Sequence, residues 1–370
     1  MPPSRGGLPF FRQQRRWLHA THAFPALAGS QLATQVYVST SHDPFFNLAL
    51  EHHLFSVLPA QSRTLLLYRN AACIVMGRNQ NPWLETHHPL VVATPGVSLL
   101  RRRSGGGTVF HDLGNTNYSV TVPTAAFEHD KHACLMARVL RMLGVKAAVN
   151  KRHDIVVLPA AAAAAAGETS EKLEHDVPGA LKCSGSAYKL TRLRSYHHGT
   201  MLLNTDLSAV SRLLASPASS AITARGVASV RSPVANARVS HADFVETAVG
   251  AFLALYPAES GVCYVGEAEA AETDAVHRGM DELRRPGWVY GQTPRFEMLL
   301  GEGGGAGVRL VVEKGIVAAV EGARDGGDVV GARFGGEAVE RCLVAGGVPQ
   351  QEASQYAAST VGARAWGDNC

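Results

Sequence analysis

The chain has 370 residues, long for one domain and comfortable for two, and its hydrophobic content of 46% supports a substantial core. Its 35 Lys and Arg exceed its 31 Asp and Glu by four, and Arg5, Arg12, Arg15 and Arg16 are the only such charges before Asp43. Beyond them the charges balance, which argues against a nucleic-acid partner, and no run of about 18 apolar residues is present to span a membrane.

The N-terminal segment 1–35 combines those arginines with Leu8, Phe10, Phe11, Trp17 and Leu18 and carries no acidic residue. That composition is expected of a mitochondrial transit peptide, with the matrix as destination. A folded region is expected from Val36-Tyr37-Val38, a short strand. Asp43-Pro44 offers an N-cap and a first-turn proline to a helix whose Phe45, Leu48, Ala49, His52 and Phe55 keep helical spacing. Leu65–Tyr68, Cys73–Met76 and Leu90–Ala93 read as strands, and Leu99–Arg103 leads into a glycine turn with strands at Thr108–Phe110 and Tyr118–Val122 beyond it. A helix is expected over Asp130–Leu143 and a strand over Asp154–Leu158.

Ala160–Ala166 opens a low-complexity insertion, about 159–178, too short in alanine to hold a helix alone. Strands at Leu181–Lys189 and His198–Leu203 and helices at Leu207–Leu214 and Ser240–Leu255 follow, the last with a capping-box pair, Ser240 and Asp243. The pattern loosens over 257–285. A small hairpin unit is expected over 286–348, with a helix after Gly335-Gly336, and 349–370 reads as a tail. Short strands mixed with helices, without a βαβ beat, define an α+β fold around a mixed sheet.

Six cysteines are scattered without a C-x-x-C pair, which suits a reducing compartment and no structural zinc. The adjacent His pairs at 52–53, 87–88 and 197–198 point apart on helix or strand and do not chelate easily.

The informative stretch is Arg101-Arg102-Arg103-Ser104-Gly105-Gly106-Gly107-Thr108-Val109-Phe110-His111-Asp112. Glycines let successive N–H groups converge on an anion, and arginines add permanent charge and forked donors. A glycine triplet alone means little, since a second one at 303–305 has no flanking cation. Gly-Gly-Gly is also not G-x-G-x-x-G, and no long helix opens after it, which argues against a Rossmann dinucleotide site. Downstream, Lys182-Cys183-Ser184-Gly185-Ser186 sets a lysine among small residues, where a compact cation can approach a ligand.

Together these segments resemble the signature of lipoate–protein ligases and lipoyltransferases. So do Asp43-Pro44-Phe45-Phe46-Asn47-Leu48-Ala49-Leu50-Glu51, Gly77-Arg78-Asn79-Gln80-Asn81-Pro82-Trp83 and His197-His198-Gly199-Thr200, in the family's order. The resemblance implies a catalytic domain over 36–256 with the biotin- and lipoate-ligase-like (class II synthetase-like) mixed sheet flanked by helices, and a small C-terminal accessory domain. It implies that (R)-lipoate and ATP, with Mg2+, give lipoyl-adenylate, and that a lysine of a carrier domain then takes the lipoyl group. The carriers implied are the lipoyl domains of E2 subunits of 2-oxoacid dehydrogenases and the H protein of glycine cleavage.

By resemblance Lys182 is catalytic and contacts both lipoate and adenylate. Arg102, Ser104, Gly105, Gly106, Gly107, Thr108, Val109, Phe110 and Asp154 hold the adenylate, and Asp154 is the magnesium partner. Glu51 and His111 join Lys182 at the lipoate, with Leu48, Val75 and Phe110 as lining candidates. His153 stands where bacterial ligases tend to carry asparagine. The same motifs suit an amidotransferase that moves lipoyl between carriers without ATP. They also suit a non-catalytic adenylate- or carrier-binding module, although an intact Lys182 speaks against that. Cys183 reads as an accidental neighbour rather than a thioester nucleophile.

Overall fold

In the computed structural model the described residues are 22–159, 172, 173, 175, 177–300, 307–323 and 326–362. Most of the alanine-rich insertion, the second glycine triplet and residues 1–21 lie outside them. In chain order the strands are β1 (Thr34–Ser39), β2 (Arg63–Tyr68), β3 (Cys73–Met76), β4 (Ser98–Arg101), β5 (Val109–His111), β6 (Asn115–Pro123), β7 (Ala147–Val149), β8 (Ile155–Val157), β9 (Leu181–Ser184), β10 (Ser186–Leu190), β11 (Arg194–Leu202), β12 (Ile222–Ala224), β13 (Ser260–Val265), β14 (Phe296–Leu300), β15 (Val308–Glu313) and β16 (Ile316–Glu321). Among the described residues, no helix is long and apolar enough to cross a membrane.

The chain divides into two compact units, each assembled from three separated stretches. The first comprises residues up to Asn70, Leu113–Thr205 and Ser232–His277. Its six-stranded sheet runs β10-β11-β6-β2-β1-β13, parallel at β1–β2 and β1–β13 and antiparallel elsewhere, so the sheet is mixed. Helices Lys131–Met142 and His241–Leu255 cover one face of it. Leu135, Met136, Val139, Leu140, Phe244 and Phe252 pack there with Val36, Leu65, Leu67, Val120 and Val122. Each such buried side chain contributes about 1.5–3 kcal/mol. A second, three-stranded sheet, β7-β8-β9, carries the lysine segment.

Local signals act here as chemistry predicts. Asp43 caps helix Pro44–Val57 by accepting from the Phe45 and Phe46 N–H groups, and Ser240 accepts from Asp243 N–H at 3.1 Å. The leader expected over 1–35 is a different matter past residue 21. His22 N–H donates to Val262 O at 2.9 Å, Phe24 and Leu27 are buried, and β1 lies inside the sheet. Residues 22–35 therefore belong to the folded unit.

The second unit comprises Ala71–Asp112, Asp206–Arg231 and the chain from Arg278 onward. It holds the three-stranded sheet β4-β3-β5 and the four-stranded sheet β12-β14-β15-β16. The glycine tract thus folds with C-terminal segments: the span 36–256 draws on both units, whereas 286–348 lies wholly within the second. The strand expected at Leu90–Ala93 is the end of a helix, His88–Ala93, with Pro89 in its first turn and the His87 ring accepting from Leu90 N–H. The tail expected after 348 includes a helix, Gln350–Thr360, whose Ala353 and Ala357 bury against the cluster of Phe334, Val339 and Leu343. Its buried stripe is made of alanine and threonine, which a search for leucine-like periodicity passes over. The expected loosening over 257–285 holds strand β13 and helix Asp274–Arg284.

Candidate active site

In the second unit, β4 ends at Arg101 and β5 begins at Val109, and the tract between them is tied down by its own arginines. Arg101 is fully buried. Its Nε donates to Val289 O at 2.8 Å, its Nη1 to Gln80 O at 2.7 Å and Arg78 O at 3.0 Å, and its Nη2 to Thr293 Oγ1 at 3.1 Å. Burial, then the nearby Arg78 charge, pulls its guanidinium down to about 10. Arg102 is also buried; it donates to Ser104 Oγ at 2.9 Å, Val75 O at 3.1 Å and the carbonyls of Gly105 and Gly107. Arg103 pairs with Glu282 at 2.6 Å and lies 4.9 Å from the Trp288 ring centroid, and Arg78 lies 4.3 Å from the same ring.

The glycines permit this compression. A Cβ on Gly77 would stand 2.0 Å from Gly106 O, and Gly106 has a φ of +82°. Gln80 and Ser229 complete the loop. Gln80 Oε1 accepts from Gly77 N–H at 2.9 Å and Thr108 Oγ1 at 2.8 Å, Gln80 Nε2 donates to Ser229 Oγ at 3.0 Å, and Thr108 N–H donates to Ser229 Oγ at 2.9 Å. Gln80 lies within the Gly77–Trp83 motif, which by itself assigns it no role, whereas Ser229 carries no sequence signal.

In the first unit Lys182 sits mid-strand in β9. Its N–H donates to Pro233 O at 2.9 Å, its carbonyl accepts from Ala235 N–H at 3.0 Å, and it pairs with Val156 across β8. The main chain is thereby fixed on both sides. Its ammonium lies 2.8 Å from Asp154 Oδ1, with the lysine side chain 23% exposed. Gly185 leaves room for it: a Cβ there would come within 3.3 Å of Lys182 Nζ. Asp154 sits at the end of a turn that Asn150 organises, its Oδ1 accepting from the Arg152 and Asp154 N–H groups at 3.0 Å each. His153 adopts a left-handed φ of +64°, a conformation that asparagine tolerates better, and its Nδ1 bonds Asp130.

Glu51, on helix Pro44–Val57, meets His198 of β11 at 2.8 Å, both buried. His111 is buried at the end of β5 in the other unit. Of the lining candidates, Leu48 and Val75 are buried, and Phe110 packs with Ile74, Met76, Val91 and Val289. Cys183 is fully buried, its Sγ donating to Ile155 O at 3.5 Å, and burial pushes its thiol up to about 12. His197, on the opposite face of β11 from His198, donates through Nε2 to Ser186 Oγ at 2.9 Å, since that hydroxyl donates to His153 O. Burial holds His197 well below the ordinary histidine range, and His132 is lowered to about 3 for the same reason. The predicted site residues thus fall into two sets: Glu51, Asp154 and Lys182 in the first unit, and Arg102 to His111 in the second.

The family model of the lipoyl protein ligase A/B catalytic domain matches residues 43–252. A putative lipoate-protein ligase A of Schizosaccharomyces pombe is 39% identical over 290 residues, covering 73% of this chain and 74% of its own. Among solved structures, P. falciparum LipL1 in complex with lipoate aligns with a TM-score of 0.54 at 22% identity, over 77% of this chain and 82% of that one. A lipoate-protein ligase A bound with ATP aligns with a TM-score of 0.50 at 21% identity, over 68% and 94%. The fold is that of the lipoate ligases. The chain belongs to the lipoyl protein ligase A/B family, and its general activity is the attachment of lipoate to protein.

Proposed function

We propose that this protein is an ATP-dependent lipoate–protein ligase. Its substrates are (R)-lipoate, ATP and a lysine on a lipoyl carrier domain, such as those of E2 subunits or the glycine cleavage H protein. The observation that carries this reading is Lys182, clamped at the main chain and aimed by Asp154, with its side chain partly exposed.

The chemistry follows from that cation. In the first step a lipoate carboxylate oxygen bonds to the α-phosphorus of ATP as the bond to pyrophosphate breaks. In the second the carrier amine bonds to the acyl carbon, the acyl–oxygen bond breaks, AMP leaves and the amine sheds a proton to solvent. Negative charge grows on phosphoryl oxygens in the first step and on the acyl oxygen in the second. A fixed ammonium stabilises both, a contribution of the size that makes preorganised donors worth about 3–4 kcal/mol. The Arg102–Phe110 tract forms a rigid wall for the nucleotide. Arg102 acts there by holding the Gly105 and Gly107 carbonyls, and Ser104 and Thr108 lock the same loop. Glu51 and His111 serve the lipoate.

Magnesium was expected at Asp154. That carboxylate pairs with Lys182 at 2.8 Å and lies 3.7 Å from Arg152. Among the described residues, no three His, Cys, Asp or Glu side chains group around an ion. Magnesium is ordinarily held by one or two carboxylates together with substrate phosphates, so Asp154 would supply a single carboxylate to an ion that arrives with ATP. Cys183, buried with a thiol raised to about 12, lacks the thiolate a thioester mechanism requires.

The test supplies lipoate, ATP and magnesium in one reaction and a lipoylated carrier alone in another. Pyrophosphate release in the first supports the ligase, and transfer confined to the second establishes an amidotransferase instead. The acid-free, arginine-bearing N-terminus addresses the protein to the mitochondrial matrix. A reporter fused to residues 1–40 is expected in mitochondria; a cytosolic reporter refutes that address.

A further inference from the structure

The six-stranded sheet of the first unit has two edges, and they are treated differently. At the β13 edge the chain itself intervenes: His22 N–H donates to Val262 O, and the helix Phe24–Ala28 packs there with Leu27 fully buried. At the other edge lies β10, and among the described residues no strand pairs with its outer side. An uncovered edge offers alternate N–H and C=O groups to an added strand.

The turn beyond β10 is built rather than loose. Thr124 N–H donates to Leu193 O at 3.0 Å, Thr124 Oγ1 to Thr191 O at 2.8 Å, and Thr191 Oγ1 to Arg194 O at 2.6 Å. Arg194 then anchors the turn to the end of helix Pro44–Val57 through the carbonyls of Leu54, Phe55 and Leu58, at 3.0–3.2 Å. This fixed turn holds Leu190 56% and Leu193 66% exposed, and Val57, between two of those carbonyls, is 50% exposed. Two cations accompany the leucines. Arg192 is exposed, and Lys189 lies over the Phe55 ring at 5.4 Å. β10 also starts only four residues after Lys182, whose ammonium lies over Gly185.

We propose that the outer edge of β10, with Leu190, Leu193 and Val57, docks the lysine-bearing carrier domain. The carrier adds an extended strand to β10, sets apolar side chains on the leucines and acidic ones against Lys189 and Arg192, and so leads its target lysine toward Lys182. The turn stands five residues from Gly185, about 17 Å along an extended strand, within the reach of one small domain. The inference rests on the ligase reading and adds to it the surface that selects the acceptor.

The experiment measures binding of an unlipoylated E2 lipoyl domain to the full chain, alongside lipoate-dependent ATP–pyrophosphate exchange without carrier. Leu190→Asp with Leu193→Asp is expected to weaken carrier binding at least tenfold and leave exchange within twofold of wild type. Lys189→Glu with Arg192→Glu is expected to weaken binding severalfold and flatten its dependence on salt. Unchanged carrier binding in both folded variants overturns the docking surface. Absence of exchange in the wild-type protein, with carrier binding still lost in the variants, overturns the ATP-dependent reading and leaves the surface standing.

Discussion

The two basic segments of this protein look alike in sequence and are used in opposite ways. In the glycine tract, Arg101 and Arg102 are buried and their guanidinium groups bind carbonyl and hydroxyl oxygens of the protein itself. At Lys182 the main chain is what the protein holds, and the side chain is left partly exposed with one carboxylate to steer its ammonium. A buried charge saturated by its own backbone is architecture, whereas a steered and accessible charge can do chemistry. The difference also separates the two in their response to mutation.

Lys182→Ala sharpens the contrast most. It is expected to leave the thermal midpoint near that of wild type and reduce acyl transfer by at least a thousandfold; near-normal transfer in the folded variant would remove the lysine from the mechanism. Arg101→Ala should do the reverse in order of cause. Loss of a buried guanidinium that donates to four carbonyls and one hydroxyl is expected to cost about 3–5 kcal/mol of stability, read by denaturant unfolding, with activity falling because the loop is lost. An Arg101→Ala protein as stable as wild type would break the architectural reading. Gly77→Ala belongs with it, since its Cβ would collide with Gly106 O; destabilisation of about 1–3 kcal/mol is expected.

How much of this was legible beforehand differs between the same two segments. The glycine turn, the Asp43 cap and the Ser240–Asp243 pair were readable because each is a local signal. The sequence marks the tract's arginines as ligand candidates because charge is visible in sequence and burial is not. Ser229, which locks Thr108, lies more than a hundred residues away and has no motif. The split into units was hidden because β12 and β14 pair across about 70 residues, and composition carries no trace of such a return. His153 was seen as a departure, but only its positive φ shows why asparagine suits the position.

Buried histidines offer a smaller effect with one reporter in each unit. His88, fully buried between Val361 O and the Tyr290 hydroxyl, is lowered from 6.5 to about 4, and His132 to about 3. Their folded values lie below the unfolded one, so each favours folding fully above about pH 6.5 and loses that contribution as pH falls toward its folded value. For His88 the total is on the order of 3 kcal/mol. Thermal midpoints should be flat above pH 6.5 and fall below it, and His88→Gln should reduce that fall; an unaltered slope in the variant would contradict the assignment. Smallest of all, Cys183→Ala is expected to retain acyl transfer within about threefold and lose roughly 1 kcal/mol of stability from the smaller side chain. Complete loss of transfer in a normally folded Cys183→Ala would revive the thioester.

The central claim is that Lys182 serves the activation of lipoate itself. Its most direct test is pyrophosphate release from lipoate and ATP, with no carrier present, by equal amounts of folded wild type and Lys182→Ala. The account predicts release by the wild type and essentially none by the variant. Equal release by both, or none by either while lipoyl still moves from a lipoylated carrier, would contradict it.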